Sequence, residues 1–289
     1  MTGDNLLAGG IDLHTHSSPS LFDRALDDFD LAAEARAAGM RGVMIKAHEC
    51  PTVSRAALVN GRVEGVAAFG GIVLNQYVGG LNLAAVEAAL KMGGKIVWFP
   101  TIHALSHLEY FGGQSPLHTA QHLEVPPVGL AVLDGAGRLK PEVLPVLRLI
   151  AGADAILGTG HLSAREILIL TDAAIDAGVK NILITHPDSK FVGLTLEDQV
   201  HLAQKGAILE KCYLNLLMPQ YGVSEKSMAE GIKIIGAEHC VLVTDLGQAV
   251  NPRPAEGMRA FTEILLAEGI SRREIRVMLA ENPARLLGL

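Results

Sequence analysis

The chain has 289 residues, of which 49% are hydrophobic and only 4% aromatic, and its formal net charge at pH 7 is −7. That charge, with no basic stripe to offset it, argues against a general nucleic-acid binder, and three scattered cysteines are too few for a disulfide framework. The first residues predict no secretory leader and no apolar run is long enough to cross a membrane, so we expect a reduced, cytoplasmic protein.

Short apolar runs alternate with amphipathic stretches along the chain. Eight runs predict β-strands, at residues 9–16, 42–48, 67–75, 95–103, 155–161, 181–187, 207–213 and 240–247. Predicted helices between them include 30–39, 82–94, 163–178 and 195–206. Several of these helices start at a capping residue and end at glycine. The alternation predicts one domain, a (β/α)8 TIM barrel over residues 1–289. A doubly wound open sheet is the alternative, but no Gly-x-Gly-x-x-Gly follows the first strand.

The repeat is interrupted once, by an insertion after the fourth predicted strand, at residues 104–140. Its imidazole and aromatic side chains include His107, Tyr110, Phe111, His118 and His122. Within it, residues 129–140 predict two short strands around a glycine-containing turn. Long loops in compact domains are usually functional or disordered, and this one follows a strand end, where barrel active sites lie. We therefore expect a lid over the mouth of the barrel.

Six of the eleven histidines lie at the carboxyl ends of predicted strands: His14, His16, His48, His103, His161 and His186. The first two are alternate residues of one strand, so their side chains share a face. Asp245 lies near the end of the eighth strand. Strand ends converge on one mouth in a barrel, and imidazole with carboxylate suits zinc, or manganese, iron or nickel. The sequence predicts a divalent metal site there.

The sequence resembles the amidohydrolase superfamily of metal-dependent hydrolases. The matching motifs are DLHTH on the first strand, GTGH on the fifth, ITHP on the sixth, TDLG on the eighth and the ending MLAENPARLLGL. The resemblance extends over the barrel framework nearly end to end. It implies that the metal-site positions are His14, His16, His161, His186 and Asp245.

One departure from the superfamily pattern concerns the number of ions. Two-metal members usually have a bridging carboxylated lysine or glutamate on strand four, but the strand at 95–103 ends without either. The nearest candidate is Lys46, on the same face of strand two as His48. Either Lys46 is carboxylated and bridges two ions, or it stays an ammonium and holds an anionic substrate group. Glu210, near the end of the seventh strand, is expected to be structural or to contact a ligand.

The predicted chemistry is activation of water by the metal, which lowers the pKa of bound water towards about 7. Asp245 is the expected general base and then acid. His186 either ligates a second metal or polarises the substrate carbonyl. The residues expected to bind a small-molecule substrate are His48, His103, Tyr213, Asn215 and Arg253. Of these, Arg253 is a candidate for holding a carboxylate.

Three reactions fit these residues. The expected one is hydrolysis of an amide, cyclic imide, lactone or similar bond, and the second is decarboxylation by a related metal enzyme. The third is phosphoester cleavage of the polymerase-and-histidinol-phosphatase type, which residues 12–20 and 38–49 resemble, although no aspartate precedes His48 and TDLG lacks an Asp-x-His. A non-enzymatic metal-binding barrel is disfavoured by ligands on every expected strand. A homo-oligomer is compatible with the chain, because closed assemblies are common.

Overall fold

The computed structural model describes residues 5–113 and 123–289, in which parallel strands alternate with helices. The strands are β1 (Ile11–Thr15), β2 (Gly42–Ile45), β3 (Ala67–Phe69), β4 (Gly71–Val73), β5 (Ile96–Trp98), β6 (Ile156–Gly158), β7 (Asn181–Ile184), β8 (Ile208–Cys212) and β9 (Cys240–Val243). The helices are α1 (Asp28–Ala37), α2 (Val53–Asn60), α3 (Leu83–Lys91), α4 (Leu105–Tyr110), α5 (Val143–Gly152), α6 (Ala164–Asp176), α7 (Leu196–Gln204), α8 (Leu214–Leu217), α9 (Glu225–Ile235), α10 (Pro254–Ala267), α11 (Arg272–Arg276) and α12 (Asn282–Leu287). Of the described helices, none is both long and apolar enough to cross a membrane.

The strands pair in parallel and in chain order. Pairing runs from β1 through β2 to β3, and from β4 through β5, β6, β7 and β8 to β9. β3 and β4 are the two halves of the predicted third strand, separated only by Gly70. The amide of Asp245 donates to the His14 carbonyl and that of His16 to the Leu246 carbonyl, each at 2.8 Å, so the last strand is bonded to the first. The predicted (β/α)8 fold class is confirmed, with its third strand divided.

The strands are buried because helices cover them, as is usual for parallel sheets. Every residue of β1, β2, β5, β6, β8 and β9 is buried. One buried carboxylate in this layer, Asp12 of the DLHTH motif, accepts a hydrogen bond from the Thr244 hydroxyl at 2.6 Å. Burial raises the pKa of Asp12 to about 7, against the opposing effect of that hydrogen bond. Asp12 thus ties the first strand to the last and positions the histidines that follow it.

Helix starts coincide with the capping residues expected from the sequence. The side chains of Ser163 and Thr195 accept hydrogen bonds from the amides three residues later, and Glu166 and Asp198 bond back to them in capping boxes. Helices α1, α3, α6 and α7 match the predicted ranges to within three residues at either end. Caps of this kind stabilise a helix by about 0.5–2 kcal/mol and explain why the sequence marks these ends clearly.

The insertion is described at 104–113 and 123–140, and His118 and His122 lie outside the described residues. It begins with α4 and ends in a hairpin-like turn, in which the Lys140 amide donates to the Val132 carbonyl at 2.9 Å. Strand pairing in this turn is limited to one bridge, Leu133 to Leu139, so the two short strands expected at 129–140 are reduced to a turn. The lid role of the insertion stays a prediction.

Candidate metal centre

A buried cluster of imidazoles and a carboxylate lies at the carboxyl ends of the strands. The ligand atoms of His14, His16 and Asp245 all lie within 4.8 Å of one another. Asp245 Oδ1 is 2.9 Å from Nε2 of His14 and 2.9 Å from Nε2 of His16. Its second oxygen, Oδ2, is 3.3 Å from His186 Nε2. Four of the five residues that the resemblance assigns to the metal site are therefore in direct contact.

Glu210 fixes the orientation of His14. Its Oε1 lies 2.6 Å from His14 Nδ1, and both side chains are completely buried. A carboxylate that accepts the Nδ1 proton sets the tautomer of an imidazole and leaves Nε2 free to bind a cation. The ligand atom of Glu210 also lies within 4.8 Å of those of His14 and His186. Of the two roles expected for Glu210, structural or in contact with a metal ligand, its position fits the second, because it contacts His14.

Lys46, which directly follows β2, reaches the same cluster. Its Nζ is 2.8 Å from His14 Nε2 and 5.4 Å from the centre of the Trp98 ring. Burial lowers the pKa of Lys46, although the charges of Asp245 and Glu210 oppose the shift. A lower pKa increases the fraction of neutral amine, which is the form that carboxylation requires. The position of Lys46 is compatible with both states predicted from the sequence.

The charges in the cluster suit a divalent cation. Burial alone would raise the pKa of Asp245, but the neighbouring histidines, His14 first, hold it well below its usual range. Burial lowers the pKa of His14, yet the carboxylates of Asp245 and Glu210 outweigh burial and raise it to about 9. Burial also holds the pKa of His16 well below its usual range. An anionic carboxylate among imidazole nitrogens is a donor set that zinc and similar ions accept, so these residues fit a metal.

The backbone at two site residues is unusual. His186 has φ 50° and Asp245 has φ 54°, in the left-handed region that few residues other than glycine adopt. Strained conformations of this kind concentrate at functional sites, where the surrounding structure holds them. The last residue of the TDLG motif, Gly247, must be glycine, because its φ is 130° and a Cβ there would lie 1.8 Å from the His16 carbonyl oxygen. Glycine therefore lets the end of the last strand approach the first.

His161 lies beside the cluster rather than within it. Its ring centre is 5.1 Å from that of His186, and its Nδ1 is 3.0 Å from His107 Nδ1. The Nε2 atoms of His161 and His107 are both buried and have no hydrogen-bond partner within residues 5–113 and 123–289. Burial lowers the pKa of His107 to about 3, so this ring is neutral and its Nε2 is the nitrogen without a partner. The metal role implied for His161 stays a prediction.

A small, partly enclosed pocket opens over the cluster. Its polar walls are formed by His16, Lys46, His48, His107, His161, His186, Asp245 and Gln248, and its apolar walls by Ile102, Phe191, Leu214 and Tyr221. His16, His186 and Asp245 of the cluster therefore face the same chamber as the apolar side chains.

The insertion contributes to this chamber through His107, on α4. The His107 ring is 4.7 Å from the Phe111 ring and 5.3 Å from the Phe191 ring. The Tyr110 hydroxyl donates to the Gln220 carbonyl at 3.1 Å and ties α4 to the opposite side of the mouth. From its sequence position His107 is predicted to lie in the lid and not in the site. The sequence signal for a site role is that His107 follows His103, the histidine at the end of the fourth predicted strand, by four residues.

Two of the predicted substrate-binding residues are strand-end histidines, and only one of them faces the pocket. His48 lines it, stacks on the His16 ring at 4.9 Å and has its Nδ1 3.0 Å from the Thr101 hydroxyl. His103 is turned elsewhere and accepts a hydrogen bond from the Gln76 amide at 3.1 Å through Nδ1. Burial lowers the pKa of His103 to about 4. His48 therefore lines the pocket and His103 does not, and the substrate-binding roles of both stay predictions.

The other three predicted substrate-binding residues do not line the pocket. Tyr213 stacks on Phe261 with ring centres 5.5 Å apart. Asn215 is fully buried, and both polar atoms of its amide have no partner in the described part of the chain. Arg253 pairs with Glu34, and its side chain is 48% exposed. Their roles in substrate binding stay predictions.

Comparisons with known proteins agree with this fold. A family model described as a family of unknown function, DUF6282, matches residues 9–210. No curated protein matches the sequence. The structure is similar to that of an amidohydrolase from Pseudomonas aeruginosa, with TM-score 0.64 and 14% identity over 98% of this chain and 96% of that chain.

Two further solved structures are similar. The probable dipeptidase PvdM from Pseudomonas aeruginosa has TM-score 0.66 and 14% identity over 98% of this chain and 96% of that chain. The 2,6-dihydroxybenzoate decarboxylase from Rhizobium has TM-score 0.53 and 13% identity over 97% of this chain and 99% of that chain. At such identities the likeness shows the fold alone, and at that level it confirms the resemblance drawn from the strand-end motifs.

Proposed function

The chain belongs to the DUF6282 family, and we propose that it is a metal-dependent hydrolase that cleaves an amide, cyclic imide, lactone or similar bond in a small polar substrate. The observation that carries the proposal is the buried cluster of His14, His16 and Asp245, whose ligand atoms lie within 4.8 Å of one another. The cluster lies at the strand ends of a (β/α)8 fold, where the active sites of such barrels are found. Two of the similar solved structures are named as an amidohydrolase and a probable dipeptidase, which supports hydrolysis.

The metal that we propose is zinc, with manganese, iron and nickel as the other ions that this donor set accepts. His14, His16 and Asp245 would hold a first ion, and His186 and His161 are the further candidates for a second. Such an ion supplies a Lewis acid that lowers the pKa of bound water to about 7.

We propose that Asp245 moves the proton in the reaction. It takes a proton from the attacking water and delivers it to the nitrogen or oxygen that leaves the carbonyl carbon. The carboxylate is ionised, since its pKa is held well below its usual range, and its side chain is 10% exposed. His186, 3.3 Å from Oδ2, keeps the carboxylate turned towards the chamber.

The apolar walls keep bulk water away from the reacting bond. Phe191 packs against the rings of His161 and His186, with centres 5.1 Å and 5.7 Å apart. Tyr221 packs on Phe191 at 5.1 Å. A site with few competing waters strengthens the electrostatic contacts that orient the substrate. The arrangement favours a small substrate that is enclosed rather than a polymer that passes through.

Decarboxylation is the second candidate, because a decarboxylase is among the similar solved structures. Hydrolysis is preferred because His186 contacts the Asp245 carboxylate, which completes the group of residues expected around an activated water. A panel of cyclic amides, lactones, aromatic carboxylates and phosphomonoesters, assayed with zinc- and manganese-loaded protein, separates the reactions.

We expect Asp245→Asn to reduce turnover of the best substrate in that panel by at least about 10²-fold, the low end of what a general base contributes. Asparagine tolerates the left-handed backbone at this position, so the variant is expected to fold. Release of carbon dioxide or phosphate from the best substrate, with no amide, imide or lactone turned over, would contradict the proposed reaction.

A further inference from the structure

Arg24 has a buried guanidinium with unused donors. It lies in the loop between β1 and α1, and its Nε is 3.3 Å from the Ser20 hydroxyl. Both terminal nitrogens, Nη1 and Nη2, are buried and have no hydrogen-bond partner within the described residues. Burying a charged donor without an acceptor is costly, and such groups in proteins are normally paired. An acceptor from outside the chain would complete this site.

Arg24 lies on the same side of the chamber as His16. Its guanidinium carbon is 5.5 Å from the centre of the Phe22 ring, and that ring meets His48 edge-on at 5.5 Å. His48 in turn stacks on His16 at 4.9 Å. The backbone of Arg24 also forms an antiparallel bridge with Gln248, which lines the pocket. Arg24 does not itself line the pocket; its guanidinium lies behind the wall formed by His48 and Gln248, within reach of a substrate group that extends past them.

No carboxylate in the described part of the chain forms an ion pair with Arg24 within 4.0 Å. Glu49 has the strongest stabilising effect on its charge, but one Glu49 oxygen accepts from the Leu21 amide at 3.0 Å and the other is buried without a partner. Burial lowers the pKa of Arg24 to about 10, which still leaves it cationic at neutral pH. The result is a positive charge beside the chamber that Glu49 and Asp245 stabilise from a distance but that no carboxylate of the described residues contacts directly.

Other arginines near the mouth are already engaged. Arg55 pairs with Asp28 at 2.6 Å and also donates to the Ser17 carbonyl at 2.9 Å. Arg253 pairs with Glu34. A guanidinium with two free terminal nitrogens presents the fork that matches a carboxylate in bidentate geometry.

We propose that Arg24 binds a carboxylate of the substrate, so that the substrate class is small amides or lactones that carry a free carboxylate. This inference rests on the proposed function, since it places the anchor of the substrate beside the residues that would cleave it. Arg24 thereby takes the carboxylate-binding role that was predicted for Arg253 from the sequence.

The test is a binding measurement on zinc-loaded protein with matched acid and amide probes. N-acetylglycine is compared with N-acetylglycinamide, and pyroglutamate with pyroglutamamide, by isothermal titration calorimetry. We expect at least one acid to bind the wild-type protein about 10- to 100-fold more tightly than its amide, the range of a hydrogen bond to a charged group. We expect Arg24→Gln to abolish this preference with metal content unchanged. The exposed Arg138→Gln is the matched control and should retain the full preference.

Arg24→Lys keeps the charge and removes the fork, so we expect it to lose most of the acid preference; this variant decides the question if Arg24→Gln does not fold. Equal binding of acids and amides by the wild-type protein, or full preference in the Arg24 variants, would overturn the inference. Loss of preference in Arg253→Gln alone would overturn it too and return the role to Arg253. Because the readout is binding, the two proposals fail separately: carboxylate selection with no amide, imide or lactone of the substrate panel turned over would contradict the proposed function and leave the inference standing.

Discussion

Glu210→Gln tests whether His14 is a metal ligand held in place by a carboxylate. The substitution keeps the shape of the side chain and an acceptor for the Nδ1 proton, but removes the negative charge 2.6 Å from His14. Removing a carboxylate that hydrogen-bonds to a metal-ligating histidine typically weakens metal binding by about 10- to 100-fold. At about 1.4 kcal/mol per factor of ten, this equals about 1.4–2.8 kcal/mol.

The assay is zinc competition against a fluorescent chelator at fixed pH, with the unfolding temperature measured in parallel to confirm that the variant is folded. Asp188→Asn is the matched control, because Asp188 is also a carboxylate near a strand end but pairs with Lys211 at 2.9 Å and is not part of the cluster. We expect the control to bind zinc as tightly as wild type. An unchanged zinc Kd in Glu210→Gln would refute the reasoning, whereas a loss well beyond 100-fold would indicate that Glu210 itself ligates the ion.

Two other variants test the remaining cluster contacts. The Nζ of Lys46 lies 2.8 Å from His14 Nε2, so Lys46→Met changes the cluster directly. If Lys46 is carboxylated, the variant should lose about one equivalent of metal. If Lys46 is an ammonium, the variant should bind anionic substrate more weakly with its metal content unchanged. Metal analysis with and without bicarbonate separates these outcomes, and full metal content with full activity would exclude both. His107→Phe removes the 3.0 Å contact to His161 Nδ1 while the ring still fits among Phe111 and Phe191, so we expect kcat/KM to fall by about tenfold. An unchanged kcat/KM would show that His107 only fills space.

The elements that the sequence predicted well are those with local signals. Buried parallel strands are continuous apolar runs, and capping residues such as Ser163 and Thr195 mark where the helices begin. The contact of His14 and His16 with Asp245 follows from the same topology, since first and last strands of a closed barrel are neighbours. The proximity of these residues is therefore predictable from the sequence.

The direction of side chains beyond the strand ends was not predictable in this way. β8 ends at Cys212 and the chain turns into α8, so Tyr213 stacks on Phe261 instead of facing the chamber. Gly160 has φ 63°, and a Cβ there would lie 2.3 Å from the Phe99 carbonyl oxygen; this turn sends His161 towards His107. Such turns depend on loop geometry, which hydrophobic periodicity does not encode.

Arg24 shows the same limit in a loop. Its position beside Phe22 and Gln248 results from pairing between two loops that are far apart in the chain. Nothing in the local pattern around residue 24 distinguishes it from a surface arginine. The number of free donors on a buried side chain is a property of the folded structure, so it had to be observed.

The metal content of protein purified without chelator tests the central claim most directly. We predict about one to two equivalents of a divalent ion per chain by inductively coupled plasma mass spectrometry, and loss of that ion in a His14→Ala, His16→Ala double variant, because only Asp245 of the three residues proposed to hold the first ion then remains. The control is His201→Ala, since His201 is exposed on α7, and it should keep its metal. Less than roughly a tenth of an equivalent in the wild-type protein, unchanged after adding zinc or manganese, would contradict a metal centre at this site.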